Sequence, residues 1–233
     1  MNLTVIIPVF NEVKTINEII NKILKVNINY KEVIIVDDHS NDGTKEKLKK
    51  FEDNKLFKIF YHDKNMGKGS CIISAIPFIT GEYVIIQDAD LEYDPQEYKK
   101  FFDIVALNRD IEVIYGSRVL GRKKFEKKFM TLFRIFANYI LTFISNILNN
   151  QKLTDVHTCY KFMKSQILKD LNLSHKDFSI CPEITTKLSH LKKKIIEIPI
   201  SYNGRSYSEG KKIKFKDAII AFYTLIKFKF FWK

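Results

Sequence analysis

A chain of 233 residues with 45% hydrophobic residues has the composition of a globular protein, and it favours one α/β domain with an appendage over two equal domains. Its formal net charge of +12 indicates an anionic partner, which could be a nucleic acid, an acidic lipid or a phosphorylated substrate. The three cysteines (Cys71, Cys159 and Cys181) are widely spaced without Cys-x-x-Cys pairing, which argues against a disulfide framework or a zinc site and favours a reducing cytoplasm.

The first half of the chain alternates between strand and helix patterns. Strands are predicted at 5–9, 32–36, 57–61 and 83–87, and helices at 14–26, 44–51 and 69–78. The strand segments are continuous apolar runs, as expected for strands that are covered on both faces. We therefore predict a mostly parallel sheet with helices on both faces and a Rossmann-like nucleotide-binding half. A strand pattern begins at the first residues, so no secretory signal is expected.

Polar side chains follow three of the predicted strands. They are Asn11 and Glu12, Asp37 and Asp38, and Asp88 and Asp90. Because ligands bind beyond the carboxyl ends of strands in open α/β sheets, we expect these sets to converge. Asp88, Asp90 and Glu92 form a triplet of acids on alternate positions, which suits a divalent metal against a phosphorylated ligand. A solvated acidic turn that caps a strand is the alternative.

Two further predicted turns could be either structural turns or nucleotide-binding segments. The segment 37–44 is rich in Asp, Ser, Asn and Gly, which favour turns and helix caps, but its carboxylates could also bind the base or ribose of a nucleotide. The segment 65–70 resembles a phosphate-binding loop only loosely, because it lacks the Gly-x-x-x-x-Gly-Lys-Ser spacing. A tight turn before a helix is therefore predicted there, and a Walker-type nucleotidase is disfavoured.

The second half changes character at a basic run, 122–128. The segment 129–148 has too many polar positions for a bilayer span, and its helical spacing fits either a helix on a membrane surface or one that covers the sheet. The segment 218–233 combines aromatic residues with lysines. It is predicted to be an amphipathic helix that also suits the headgroup region of a membrane.

Several segments, taken in order, resemble a known family. They are 5–12, 37–38, 65–69, 88–92, 116–118 and 205–211. This ordered set resembles the family 2 inverting glycosyltransferases, in the branch that contains dolichol-phosphate mannosyltransferase and bacterial polyprenyl-phosphate sugar transferases. The resemblance implies a GT-A fold, a nucleotide-sugar donor, and Mg²⁺ or Mn²⁺. Residues 1–215 would form the GT-A domain, with a donor half at 1–118 and an acceptor half at 119–215, and 216–233 would form a C-terminal helix.

The resemblance also implies roles for individual residues. The nucleoside would be surrounded by Pro8, Phe10, Glu12, Val36 and Asp38. The ribose and diphosphate would be contacted by Asp88, Ala89 and Asp90. Asp90 would be the main metal ligand, with Glu92 and Asp88 as further ligands. Arg118, Arg205 and Lys211 match the basic residues that face the diphosphate. A departing nucleoside diphosphate needs a metal and fixed cations more than it needs a covalent nucleophile.

Three residues are expected to be catalytic: Asp90, Arg118 and Asp155. Asp155 lies in a stretch, 154–161, that matches the acceptor-side motif of the family, and it would be the general base for an alcohol acceptor. A phosphate acceptor is already ionised and needs no base. His157 and Cys181 differ from the residues usual at these positions, which leaves open the acid–base chemistry and the acceptor specificity.

The function expected from these features is transfer of a sugar from a UDP- or GDP-sugar to polyprenyl or dolichyl phosphate, at the cytoplasmic face of a membrane. Transfer to a glycan hydroxyl, an inactive scaffold and a basic nucleic-acid- or membrane-binding module are the alternatives. No recognised nucleic-acid motif is present, so no nucleic-acid partner is expected. Without a predicted bilayer-spanning segment, we expect a peripheral protein, and a membrane-anchored partner protein is a further candidate.

Overall fold

The computed structural model describes residues 1–121, 129–205 and 215–231. The strands are Leu3–Val9 (β1), Tyr30–Asp37 (β2), Phe57–Tyr61 (β3), Tyr83–Ile86 (β4), Val113–Ser117 (β5), Lys161–Lys164 (β6) and Ile195–Pro199 (β7). The α-helices are Ile16–Leu24 (α1), Thr44–Leu48 (α2), Lys68–Ala75 (α3), Tyr98–Leu107 (α4), Phe129–Asn149 (α5), Ser165–Asp170 (α6), Ile180–His190 (α7) and Phe215–Phe231 (α8).

The strands form one sheet in the order β3-β2-β1-β4-β6-β5-β7. The pairs β1–β2, β1–β4, β2–β3 and β5–β7 are parallel. Strand β6 runs antiparallel between β4 and β5. The predicted sheet, mostly parallel and covered by helices, is therefore confirmed, with β6 as the exception among the described strands.

The core forms where continuous apolar runs lie between helices. All residues of β1 except the half-buried Pro8 are buried, and so are residues 33–37 of β2. Helix α1 buries Ile16, Ile19, Ile20 and Ile23, which recur at the spacing of one helix face. Helix α1 is shorter at both ends than the predicted segment 14–26, and a 3₁₀ turn at Lys49–Phe51 continues α2 to the predicted end.

Helices α5, α7 and α8 pack against one another in the second half of the chain. On α5, Leu141, Ser145 and Asn149 are buried. On α8, the buried positions include Leu225 and Phe228. Within the described residues, we find no helix with both the length and the apolar character needed to cross a bilayer.

Sharp turns follow the three strands that deliver the predicted site residues. Asn11, His39 and Leu91 have positive φ angles of 50°, 64° and 62°, a conformation that is uncommon for residues other than glycine. Oδ1 of Asn11 accepts a hydrogen bond from the backbone amide of Asn41 at 2.9 Å, so the turns after β1 and β2 are tied together. Such backbone conformations concentrate at functional sites.

Candidate functional site

The turns after β1 and β4 and the loop after β7 meet where Arg205 lies between acidic side chains. The guanidinium forms two parallel hydrogen bonds with Glu12, from Nη1 to Oε2 and from Nη2 to Oε1, each 3.0 Å long. Nη2 also donates to Oδ2 of Asp90 at 3.1 Å. Glu92 accepts the backbone amide of Arg205 at 2.8 Å and the hydroxyl of Tyr202 at 2.7 Å. The predicted convergence of the residues after β1 and β4 is therefore confirmed.

The charge of Arg205 is maintained by its acidic neighbours. Burial lowers the pKa of Arg205, but its hydrogen bond with Glu12 and the negative charges of Asp90, Glu12 and Glu92 outweigh burial and raise it. The side-chain Nε lies 3.9 Å from Oε1 of Glu92 and has no hydrogen-bond partner in the described part of the chain. The guanidinium is thus strongly attracted to the acids but incompletely hydrogen-bonded.

The first acid of the triplet, Asp88, is paired with a lysine. It forms a close ion pair with Lys68, and although burial lowers the pKa of Lys68, the charge of Asp88 raises it well above the usual value. Gly67, directly before Lys68, has a φ of +93°, and a Cβ there would lie 2.4 Å from the backbone oxygen of Lys176. A glycine is therefore required at this turn, which places Lys68 beside Asp88.

Asp38 anchors the same turn from the other side. Oδ1 accepts the amide of Met66 at 2.8 Å, Oδ2 accepts the amide of Gly67 at 2.7 Å, and Nδ1 of His62 lies 2.8 Å from Oδ1. In the described ranges, Asp38, His62 and Cys71 are the trio whose candidate ligand atoms all lie within 4.8 Å of one another. Burial raises the pKa of the Cys71 thiol, so it does not supply the thiolate that a soft metal requires. We interpret the trio as a hydrogen-bonded support for the turn.

The other residues predicted to surround the nucleoside lie at the same edge of the sheet. Pro8 and Phe10, at the end of β1, are half-buried. Val36, near the end of β2, and Ala89, after β4, are buried. Their proposed contacts with a nucleoside stay predictions.

A second ion pair joins the end of β5 to the loop before β6. Asp155 is fully buried and accepts hydrogen bonds from Arg118 at Nε (2.7 Å), Nη2 (2.8 Å) and the backbone amide (3.1 Å). Asn138 of α5 donates a further bond at 3.3 Å. Burial alone would raise the pKa of Asp155, but the charge and hydrogen bonds of Arg118 lower it below the usual value. This geometry favours a role for Asp155 in holding Arg118 rather than in accepting a proton.

Tyr202 connects the two clusters. Its hydroxyl donates to Glu92, and the guanidinium carbon of Arg118 lies 5.1 Å from the centre of its ring, within the range of a cation–π contact. Tyr202 was not among the predicted site residues, and Lys68 was predicted only as part of the tight turn at 65–70. The glycines that flank Lys68 are the signal that could have identified it, whereas Tyr202 has no comparable signal. The predicted Lys211 lies outside the described residues.

The residues present fit a hard divalent cation. After β4, Oδ2 of Asp90 lies 3.1 Å from Nη2 of Arg205, and Oε1 of Glu92 lies 3.9 Å from Nε of the same guanidinium. Carboxylate oxygens of this kind are the ligands that Mg²⁺ and Mn²⁺ prefer. Mg²⁺ is usually held by one or two carboxylates together with substrate phosphates, so a complete cage of protein ligands is not required. Asp88 stands apart from this pair because Lys68 neutralises it.

Comparison with known proteins identifies relatives over most of the chain. The model of a family described as "Glycosyl transferase family 2" matches residues 4–171. A dolichol-phosphate mannosyltransferase from Pyrococcus furiosus is 25% identical over 213 residues, which cover 91% of this chain and 59% of the relative. This chain therefore spans less than two thirds of that relative's own length. A UDP-N-acetylglucosamine–dolichyl-phosphate N-acetylglucosaminyltransferase from Methanococcus voltae is 28% identical over 243 residues, which cover 96% of this chain and 94% of the relative.

Solved structures share the fold. Glucosyl-3-phosphoglycerate synthase from Mycobacterium tuberculosis, in complex with uridine diphosphate, superimposes with a TM-score of 0.72 at 13% identity, covering 98% of this chain and 80% of that chain. Residues 1–349 of TarS from S. aureus, in complex with UDP-GlcNAc, superimpose with a TM-score of 0.63 at 19% identity, covering 98% and 66%. At these identities the likeness shows the architecture alone, and it confirms the predicted GT-A fold.

Proposed function

This chain belongs to glycosyl transferase family 2 and is a glycosyltransferase, and we propose that it transfers a sugar from a UDP- or GDP-sugar to the phosphate of a polyprenol or dolichol. In this proposal the reaction depends on Mg²⁺ or Mn²⁺, inverts the anomeric centre and takes place at the cytoplasmic face of a membrane. We further propose that residues 1–118 form the donor half and 119–215 the acceptor half, followed by a C-terminal segment that contains helix α8.

The burial and the hydrogen bonding of Asp155 are the observations that support a phosphate acceptor over an alcohol. Asp155 is fully buried and its two oxygens are committed to Arg118, so it is poorly placed to take a proton from an alcohol. Burial lowers the pKa of the nearby His157 to about 4, which makes its imidazole a weak base at neutral pH. An acceptor phosphate is already ionised and needs neither residue. The names of both relatives, which include dolichol-phosphate and dolichyl-phosphate, point to the same class of acceptor.

The donor side has the charges that a nucleoside diphosphate leaving group requires. In our proposal Asp90, assisted by Glu92, would hold the metal, which would supply positive charge against the negative charge that develops on the diphosphate. Arg118 and Arg205 are the cations of this edge that would face the diphosphate, together with the predicted Lys211. Arg118 is fixed by its bidentate pairing with Asp155, so it is already oriented before the reaction begins.

An apolar surface on α5 and α8 supports the placement at a membrane. Phe136, Tyr139, Phe143 and Ile147 of α5 leave 56–68% of their surfaces exposed. Tyr223, Phe230 and Phe231 of α8 are also well exposed, and the exposed Lys227 lies on the same helix. An aromatic face with lysines on a protein of net charge +12 suits the headgroup region of an anionic bilayer.

The acceptor is tested by supplying the purified protein with labelled UDP- and GDP-sugars and either a short-chain polyprenyl phosphate or an oligosaccharide. We expect a metal-dependent glycolipid product whose sugar has the opposite anomeric configuration to the donor, as read by NMR. A product formed with the oligosaccharide alone would overturn the lipid-phosphate proposal. If the same glycolipid formed without a divalent metal, only the proposed metal requirement would be overturned.

Membrane binding is tested by sedimentation with vesicles of phosphatidylglycerol and phosphatidylcholine at low salt. We expect the wild type to sediment, and the double variant Tyr139→Glu, Phe143→Glu to bind about tenfold more weakly because two apolar anchors are lost. The control is Leu107→Glu, since Leu107 is 88% exposed at the end of α4 and should not matter. No binding by the wild type would favour docking through a membrane-anchored partner protein.

A further inference from the structure

The guanidinium of Arg205 lies on the acids that the proposed metal would use. It contacts Glu12 through two hydrogen bonds and Asp90 through a third, while its backbone amide donates to Glu92. Arg205 thus brings one positive charge to three carboxylates that come from the turns after β1 and β4. These acids attract cations strongly, because both Glu12 and Glu92 are buried.

A divalent metal and this guanidinium compete for the same carboxylates, because two cations bound there would repel each other. Oδ2 of Asp90, the acid expected to bind the metal, lies 3.1 Å from Nη2 of Arg205. A metal bound to Asp90 would place two further positive charges close to the guanidinium, and repulsion between charges a few ångströms apart is large in a partly buried site. One of the two cations must therefore withdraw when the other binds.

We propose that Arg205 is a tethered counter-ion that occupies the acids Glu12, Asp90 and Glu92 until the metal displaces it. The displaced guanidinium then becomes available to the diphosphate of the donor. In this way the arrival of the metal and of the nucleotide-sugar is coupled through one side chain. The inference depends on the proposed function only in that Mg²⁺ or Mn²⁺ binds at Asp90.

The incomplete hydrogen bonding of Arg205 favours its displacement from the carboxylates. Its Nε is buried and lacks a hydrogen-bond partner among the described residues, which costs free energy in the arrangement observed. Arg118, in contrast, directs Nε and Nη2 to the two oxygens of the fully buried Asp155. Arg118 is therefore held in place by its carboxylate partner, whereas Arg205 can exchange its partners.

The main test measures Mn²⁺ binding to the nucleotide-free protein by electron paramagnetic resonance, for the wild type, Arg205→Ala and Arg109→Ala. Arg109 is a matched control because it pairs with Glu82 at the opposite edge of the sheet and is well exposed, so its removal changes the net charge equally. We expect Arg205→Ala to bind Mn²⁺ about tenfold more tightly than the wild type, because a competing cation is removed. Arg109→Ala should bind like the wild type.

A second measurement uses the wild type alone and does not depend on the folding of a variant. Hydrogen exchange of the Arg205 amide, which donates to Glu92, should become faster when Mn²⁺ is added, while the amides of β1 stay protected. Equal Mn²⁺ affinity in the wild type and Arg205→Ala, or weaker binding in the variant, would overturn the counter-ion role and leave the proposed function intact. Absence of Mn²⁺ binding in all three proteins would instead overturn the metal requirement, and the inference with it.

Discussion

Acidic side chains are buried at both edges of the same sheet, but their environments differ. At the amino-terminal edge, Glu32 lies at the start of β2 among donors from fixed elements of the fold. It accepts hydrogen bonds from the hydroxyls of Thr4 and Thr80, the amides of Thr80 and Gly81, and the ammonium of Lys58. At the carboxyl-terminal edge, Glu12 and Asp90 accept hydrogen bonds from the guanidinium of Arg205. Glu92 accepts the backbone amide of Arg205 and lies 3.9 Å from its Nε.

The difference separates a carboxylate that stabilises the fold from the carboxylates that we propose bind a ligand. Glu32 is 3% exposed and most of its donors are neutral, so its negative charge is stabilised locally. These three acids of the carboxyl edge all contact Arg205, a cation that is supplied by the loop after β7. Like charges brought together cost free energy, and proteins retain such arrangements where a ligand or a catalytic step uses them.

The sharpest test of this comparison is Asp90→Asn. We expect it to lower the rate of sugar transfer by at least about 100-fold, since the charge that we propose holds the metal at the diphosphate is lost. The melting temperature should stay the same or rise, because one of several crowded negative charges is removed. Asp94→Asn is the matched control, since Asp94 is exposed and accepts a local bond from the amide of Gln96 that an Asn side chain can also accept. A large fall in stability without a loss of rate would show that the two edges do not differ.

The sequence was sufficient to predict much of this edge. The apolar runs of β1, β2 and β4 end in, or within three residues of, an acid, and this local pattern indicates both the strands and the end that they share. The antiparallel strand β6 was missed, since it is only four residues long and its place between β4 and β5 depends on pairing with residues far away in the chain.

Side-chain partners were harder to predict than positions. Arg205 and Glu12 are 193 residues apart in sequence, so spacing carries no information about their contact. Asp155 was expected to be a base because its motif lies on the acceptor side, but its burial and its pairing with Arg118 are properties of the packed structure alone. Similarly, Lys68 was read as part of a tight turn, and only the fold brings it to Asp88.

Asp155 tests the comparison from within the carboxyl edge, since it is buried there but fully hydrogen-bonded, as Glu32 is. We expect Asp155→Asn to lower the free energy of unfolding by about 3 kcal/mol, because it leaves the charge of Arg118 without its buried partner. The KM for the nucleotide-sugar should rise as Arg118 loses its orientation. Chemical denaturation and steady-state kinetics measure the two effects, with the exposed Asp110→Asn as control. A variant of normal stability that loses only kcat would favour a base role for Asp155.

Glu32 provides the corresponding test at the amino edge through its pH dependence. Burial raises the pKa of Glu32, but the hydrogen bonds from Thr4, Thr80 and Lys58 lower it from 4.5 to about 2. Since the folded-state pKa is below the unfolded value, the native state binds fewer protons, and this stabilisation is present above about pH 4.5 and is lost as the pH falls towards 2.

We therefore expect Glu32→Gln to be less stable than the wild type by about 1–3 kcal/mol at pH 7, with little effect on turnover. The difference in the free energy of unfolding should shrink between pH 4.5 and pH 2. Urea denaturation of both proteins at several pH values measures it. A difference that is independent of pH would mean that the charge of Glu32 is not what stabilises this edge.

The smallest effect is expected from removing the cation of the amino edge. Lys58 lies 3.0 Å from Glu32 but is 36% exposed, so solvent screens the pair. Lys58→Met should cost less than about 1 kcal/mol of stability, since hydroxyls and backbone amides still satisfy the carboxylate. Arg205→Met at the carboxyl edge leaves three acids without the guanidinium they share, so its consequences for cation binding should be far larger. If Lys58→Met and Arg205→Met changed the Mn²⁺ affinity equally, the proposed difference in cation binding between the two edges would be wrong.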